Sequence, residues 1–155
     1  MAKTQGLEQV LQRKRDILRG DADRIAKQRA AGKLTARERI AKLLDPGSFV
    51  ELDALLSRNG DYAGVITGSG TVQDRPVYVF AQDFTVHGGA MGEMQAQKIC
   101  KLLDLAMNSP APVIALCDSA GVRVDEGARA MNAYARIYGK LARLSSPLLA
   151  LILGP

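Results

Sequence analysis

The sequence predicts an α/β fold in which helices cover both faces of a parallel sheet. Two segments, Pro112–Cys117 and Pro147–Leu153, are apolar throughout and short, as strands buried on both faces are. Between them, residues 126–144 place Met131, Tyr134, Tyr138 and Leu141 on one helical face. Before them, residues 89–109 place Ile99, Leu102, Leu103 and Ala106 at i, i+3, i+4 and i+7. Apolar strands joined by amphipathic helices form parallel sheets, and a right-handed crossover puts 112–117 and 147–153 in the same one.

The elements upstream follow in order. Residues 6–31 read as one helix ending at Gly32, with a thin apolar stripe of Leu7, Val10, Leu11, Ile17 and Leu18 among dense charge. So little apolar surface cannot hold a helix alone, which predicts a docking element (1–31) ahead of a domain spanning 32–155. Thr35 with Glu38 is a capping-box signature, followed by Ile40, Leu43 and Leu44 and stopped at Pro46-Gly47. Phe49–Leu52 is a short strand. Ala63–Thr67 and Thr71–Gln73 flank Gly68-Ser69-Gly70, which predicts a bend or bulge; Asp74-Arg75 turns the chain into strand 76–82. Gly68-x-Gly70 is not a dinucleotide fingerprint, because no helix follows it.

Composition narrows the functional classes. No apolar run approaches the roughly 20 residues of a membrane span, and the first ten residues lack a signal-peptide core. Cys100 and Cys117 sit in apolar stretches without CxxC spacing, as reduced core residues of a cytoplasmic protein do. Residues 1–42 carry 12 Lys/Arg and 5 Asp/Glu, so the net charge of +5 is concentrated there. No stacking aromatics are interleaved with these cations, so a solvated mixed-charge helix is favoured over nucleic-acid binding. Contact with the phosphates of an anionic ligand is a third option.

The chemistry is expected beyond the carboxyl end of strand 112–117, where ligands of open α/β sheets bind. There the chain reads Asp118-Ser119-Ala120-Gly121-Val122-Arg123-Val124-Asp125-Glu126-Gly127. Small residues at 119–121 let backbone N–H groups approach a ligand, and the next helix adds its positive N-terminus. Together they form an oxyanion hole for a thioester enolate, or else a loop that merely closes a turn. Ser119 has no triad, since His87 is the lone histidine and has no second metal ligand at useful spacing either. Asp125 and Glu126 point about 100° apart on a helix and so favour stabilising its N-terminus over acid–base work. Arg123 is open between binding an anion and pairing with a carboxylate such as Asp118.

Five ordered motifs carry a resemblance: GKLTARERIAKLLDPGSFVE (32–51), VFAQDFTVHGGAMGE (79–93), KIC (98–100), APVIAL (111–116) and DSAGVRVDEG (118–127). Together they resemble the carboxyltransferase subunits of biotin-dependent carboxylases and decarboxylases, of the propionyl-CoA carboxylase beta and methylmalonyl-CoA decarboxylase alpha type. The resemblance implies a ClpP/crotonase-like α/β fold, a coenzyme A thioester substrate, and carboxybiotin on a biotin carboxyl carrier protein or domain as the CO2 carrier. It also implies a homo-oligomer or a complementary C-terminal half. Carried over residue by residue, Gly121 and Val122 stand at the backbone oxyanion donors. Phe84, Gly88, Gly89, Ala120 and Arg123 stand at substrate-binding positions, and no metal is required. Ala120 replaces a family glycine, Val122 an alanine and Asp125 a glutamine, which predicts a reshaped acyl pocket. The family's pocket draws on residues beyond 155, so this chain by itself is expected to be inactive. Two alternatives remain at this stage: a hydratase or isomerase of crotonase type, and a non-catalytic acyl-CoA-binding or assembly module.

Overall fold

A computed structural model describes residues 2–58 and 60–154. Among these residues the α-helices and strands follow in the order α1 (Ala2–Arg19), α2 (Ala22–Ala30), α3 (Ala36–Leu43), β1 (Val50–Leu52), β2 (Ser57–Arg58), β3 (Asp61–Tyr62), β4 (Val65–Val72), β5 (Arg75–Gln82), α4 (Glu93–Asn108), β6 (Val113–Cys117), α5 (Ala128–Leu141) and β7 (Leu148–Ile152). The main sheet runs β1-β4-β5-β6-β7, and β2 and β3 form a separate hairpin that the sequence did not reveal. β6 lies parallel between β5 and β7, as the apolar strands predict, while β1, β4 and β5 are antiparallel neighbours. The sheet is therefore mixed, with its parallel half carrying the crossovers.

Alternation along the strands divides the core between two faces. Val113 and Ala115 of β6 pack with Phe80 under α4 and α5, against Ile99, Leu102, Leu103, Ala133 and Ile137. Ile114 and Leu116 point the other way, with Val77, Val79 and Ala81, onto Ala36, Ile40 and Leu44 of α3 and its end. The α3 cap is formed as expected: the Glu38 N–H donates to Thr35 Oγ1 at 3.3 Å, and the Thr35 N–H donates to Glu38 Oε2 at 2.8 Å.

Four expectations require correction. The helix expected over 6–31 is two helices: Gly20 takes φ 61°, and Asp21 accepts from the Arg24 N–H at 3.0 Å to start α2. Gly68-Ser69-Gly70 is neither bend nor bulge, since β4 keeps its pairing with β5 from Val65 to Val72. The glycines make room instead: a Cβ at Gly68 would overlap the Phe49 ring and the Val50 carbonyl, and one at Gly70 would lie 2.7 Å from Leu44. The hairpin turn is Gln73-Asp74, at φ 51° and 62°, one residue earlier than expected. Asp45 holds it, accepting from the Gln73 and Asp74 N–H groups at 3.0 and 2.9 Å. Finally, the two crossover helices start later than expected, α4 at Glu93 and α5 at Ala128, each preceded by a 3₁₀ turn (His87–Gly89 and Val124–Glu126).

Candidate functional site

Because β5 and β6 run parallel, the loops leaving their carboxyl ends, 83–92 and 118–127, emerge side by side. They are hydrogen-bonded to each other. The Ala120 N–H donates to the Gly88 carbonyl, the Met91 N–H to the Gly121 carbonyl and the Arg123 N–H to the Met91 carbonyl, each at 2.8 Å. These bonds make an isolated parallel bridge between Met91 and Val122. Met91 engages the peptide groups on either side of Val122, so the Val122 N–H and C=O face away from the 83–92 loop. The Val122 N–H has no acceptor among the described residues.

The other expected donor is engaged. The Gly121 N–H, with Gly121 at φ 116°, donates to Ser119 Oγ at 3.1 Å, and the Ser119 hydroxyl donates back to the Gly121 carbonyl at 3.2 Å. Ser119 is thus the turn residue that the sequence favours. Tyr134 of α5, which sequence reasoning counted only as helix face, also donates to the Gly121 carbonyl, at 3.2 Å.

The structure gathers the remaining expected site residues at this crossing. Gly88 and Gly89 adopt φ 63° and 64°. A Cβ on Gly88 would lie 3.2 Å from Ala120 Cβ and 4.0 Å from the Phe84 ring, whereas one on Gly89 would overlap the Asp118 carbonyl. The second position therefore has no room for a side chain. Phe84 lies under Lys33 Nζ, 5.9 Å from its ring centroid, and Arg24 Nη1 donates to the Thr85 carbonyl at 3.1 Å. The 83–92 loop is thus tied to the N-terminal segment as well as to the 118–127 loop. Gln95, also missed, supports it by donating to the Ala90 carbonyl at 2.9 Å.

Arg123 pairs with a carboxylate, but not with Asp118. Its Nε and Nη2 meet Asp125 Oδ1 and Oδ2 at 3.0 and 2.6 Å, a bidentate fork that holds the Asp125 carboxyl below its ordinary range. Glu126 does stabilise a helix N-terminus, though not that of its own helix: Oε2 accepts from the Glu93 N–H at 2.7 Å and caps α4. Asp118 instead meets Arg39 of α3, with Nη2 and Oδ2 2.7 Å apart.

Beside the loops, a cleft of about 600 Å³ runs between the N-terminal helices and the sheet, lined in part by Ile17, Arg24, Val86, His87 and Lys98. Lys98 is 4% exposed and donates from Nζ to the Val65 carbonyl at 2.9 Å. Burial pulls its ammonium from the ordinary 10.5 down to about 8, against the opposing pull of Glu51 and Asp53. Among the described residues no group of His, Cys, Asp and Glu side chains could hold a metal ion, and no helix is long and apolar enough to cross a membrane.

The mixed sheet and the two paired strand-end loops define a crotonase-like α/β domain. Residues 27–155 match the carboxyl transferase domain, and the chain belongs to that family. It is 45% identical over 161 residues to the propionyl-CoA carboxylase beta chain of Cereibacter sphaeroides, covering 95% of this chain and 32% of that protein. To methylmalonyl-CoA decarboxylase subunit alpha of Propionigenium modestum it is again 45% identical over 161 residues, covering 95% of this chain and 31% of that protein. The solved transcarboxylase 12S hexamer, with methylmalonyl-coenzyme A and methylmalonic acid bound, superposes with a TM-score of 0.89 at 35% identity, covering 96% of this chain and 32% of that one. The chain thus spans about a third of the length of these relatives.

Proposed function

We propose that this chain is the acyl-CoA-binding part of a biotin-dependent carboxyltransferase, moving CO2 between carboxybiotin and the α-carbon of an acyl-CoA such as propionyl- or methylmalonyl-CoA. One observation carries the reading: the Val122 N–H points away from the loop pairing and has no acceptor. Breaking the bond between the α-carbon and its carboxylate releases CO2 and leaves the electron pair on the thioester enolate. The negative charge then gathers on the thioester oxygen. A fixed N–H at that oxygen gains strength as the charge grows, so it favours the transition state over the bound substrate. Gly121 supplies a second donor once its N–H leaves Ser119 Oγ. Phe84, Gly88 and Ala120 line the approach, Gly89 lets the two loops close against each other, and Arg123 stands beside them as an anion contact. When bound, carboxybiotin supplies or takes the CO2.

In this reading the partners are a biotin carboxyl carrier and further copies of the chain or a complementary C-terminal half, with α1 and α2 as the docking element. The hexameric assembly of the solved transcarboxylase supports the part of this reading that concerns further copies of the chain. Two free cysteines agree with a cytoplasmic setting.

The test compares Val122→Pro with Val122→Ala in the carboxyltransferase assembly that contains this chain. Proline deletes the donor, and the expected loss is about 10²–10³ in turnover, or roughly 2.7–4 kcal/mol. Alanine keeps the N–H and should keep most of the rate. Equal rates for the two, at unfolding midpoints near wild type, would refute the donor role.

A further inference from the structure

The buried ion pair between α3 and the end of β6 takes no part in the chemistry above, and its surroundings single it out. Asp118 is fully buried, and the Arg39 side chain is 9% exposed. Their 2.7 Å contact lies off a hydrogen-bond line, and Arg39 Nη1 and Asp118 Oδ1 are buried without a hydrogen-bond partner among the described residues. Removing two charges from water costs more than an imperfect contact returns, so stability alone is a poor account of this pair.

Its position suggests another. Asp118 directly follows β6 and stands four residues before Val122. Its carbonyl abuts Gly89 of the 83–92 loop, and its carboxylate abuts Gly154 just beyond β7, in both places too closely to admit a Cβ. Arg39 closes the junction from α3, on the opposite face of the sheet from α4 and α5. Three segments therefore converge on the residue at the end of β6 from which the donor loop departs.

We propose that Arg39 and Asp118 form a positioning pair for the Val122 donor. The guanidinium fixes the end of β6, and with it the pairing of residues 120–123 against 88–91 that turns the Val122 N–H outward. The proposal rests on the reading of Val122 as an oxyanion donor. It gives the ARERI segment a role in the site beyond capping and packing α3. Neither residue touches substrate.

The test uses Arg39→Met and Arg39→Lys in the assembled carboxyltransferase, with methylmalonyl-CoA as substrate. A donor displaced by about 1 Å costs on the order of 10²-fold in turnover. Arg39→Met should therefore lower kcat by about that factor with KM within roughly threefold of wild type, and Arg39→Lys should recover about tenfold of the loss. Hydrogen exchange at the bonded amides of Ala120, Gly121 and Arg123 should quicken by about tenfold or more, with the amides of α4 unchanged. Unchanged kcat overturns the proposal, whatever the exchange shows. So does slow turnover with faster exchange throughout α4 and β6, because that is general loosening. If Arg39→Met does not assemble, the lysine variant is judged by the same criteria, with a smaller loss in kcat. Exchange at the amides of Ala120, Gly121 and Arg123 reads the pair without reference to catalysis, whereas Val122→Pro against Val122→Ala reads the donor without reference to Arg39. Failure of one is thus distinguishable from failure of the other.

Discussion

Replacing Lys98 by methionine should reveal what burying this amine costs the fold. The ammonium lies on the core side of α4 at 4% exposure, and burial lowers its pKa from 10.5 to about 8. Below pH 8 both folded and unfolded chains hold the proton, and the folded state bears the full cost of the buried charge. Between pH 8 and 10.5 the unfolded chain binds more protons than the folded one, so stability rises with pH through that window. A shift of this size corresponds to about 3 kcal/mol at pH 7 and roughly 1 kcal/mol at pH 10. Methionine removes the charge but also the bond to the Val65 carbonyl at 2.9 Å, and an unmet buried carbonyl costs about 1–3 kcal/mol. The two effects offset each other at neutral pH, where the variant should be equal to wild type or up to about 2 kcal/mol more stable. The pH dependence separates them, because the lost bond contributes a constant and the charge does not. Urea unfolding of both proteins from pH 7 to 10 gives the difference directly, with the other titrating groups cancelling. Wild type should gain about 2 kcal/mol on the variant across that range. A difference flat with pH would refute the reasoning and show that the amine keeps its charge at no cost.

Gly89→Ala should destabilise the domain by about 3 kcal/mol in the same assay, since its φ of 64° disfavours a side chain and the Cβ would overlap the Asp118 carbonyl, which cannot move independently. A loss below about 1 kcal/mol would mean that the two loops are not held together as described. Deleting residues 1–31 should lower the assembly mass in light scattering while the far-UV signature of the sheet persists. An unchanged mass would remove the docking role proposed for α1 and α2.

What the sequence made legible was decided by the range of the interactions involved. β6 and β7 were readable because burial on both faces writes itself into consecutive residues, and the α3 cap because Thr35 and Glu38 lie within one turn. The break between α1 and α2 was also local. Gly20-Asp21 is a helix stop followed by an N-cap, but the apolar spacing of Leu7 to Leu18 masked it. The glycines of β4 were misread for the opposite reason. Gly in a strand usually marks a bulge, yet here the demand for a missing side chain comes from Phe49 and Leu44, which only the folded chain brings there.

The same distinction divides the candidate site. That residues 119–122 form a small-residue turn beyond a buried strand follows from their composition and place in the chain. Which N–H remains open does not, because that depends on how this loop registers against residues 88–91. Met91 bonds to the Gly121 carbonyl and the Arg123 N–H, and so consumes the groups flanking Val122 while leaving its own N–H free. Moving that register by one residue would turn the Val122 N–H inward and present a neighbouring amide instead. The register is in turn bounded by Gly89 against the Asp118 carbonyl and by the ion pair from Arg39, contacts between residues far apart in the chain. The orientation of the Val122 N–H is therefore a property of the junction around Asp118 and not of the 119–122 turn alone, and if Val122 is the proposed donor, substitutions at Arg39 or Gly89 should act on catalysis through it.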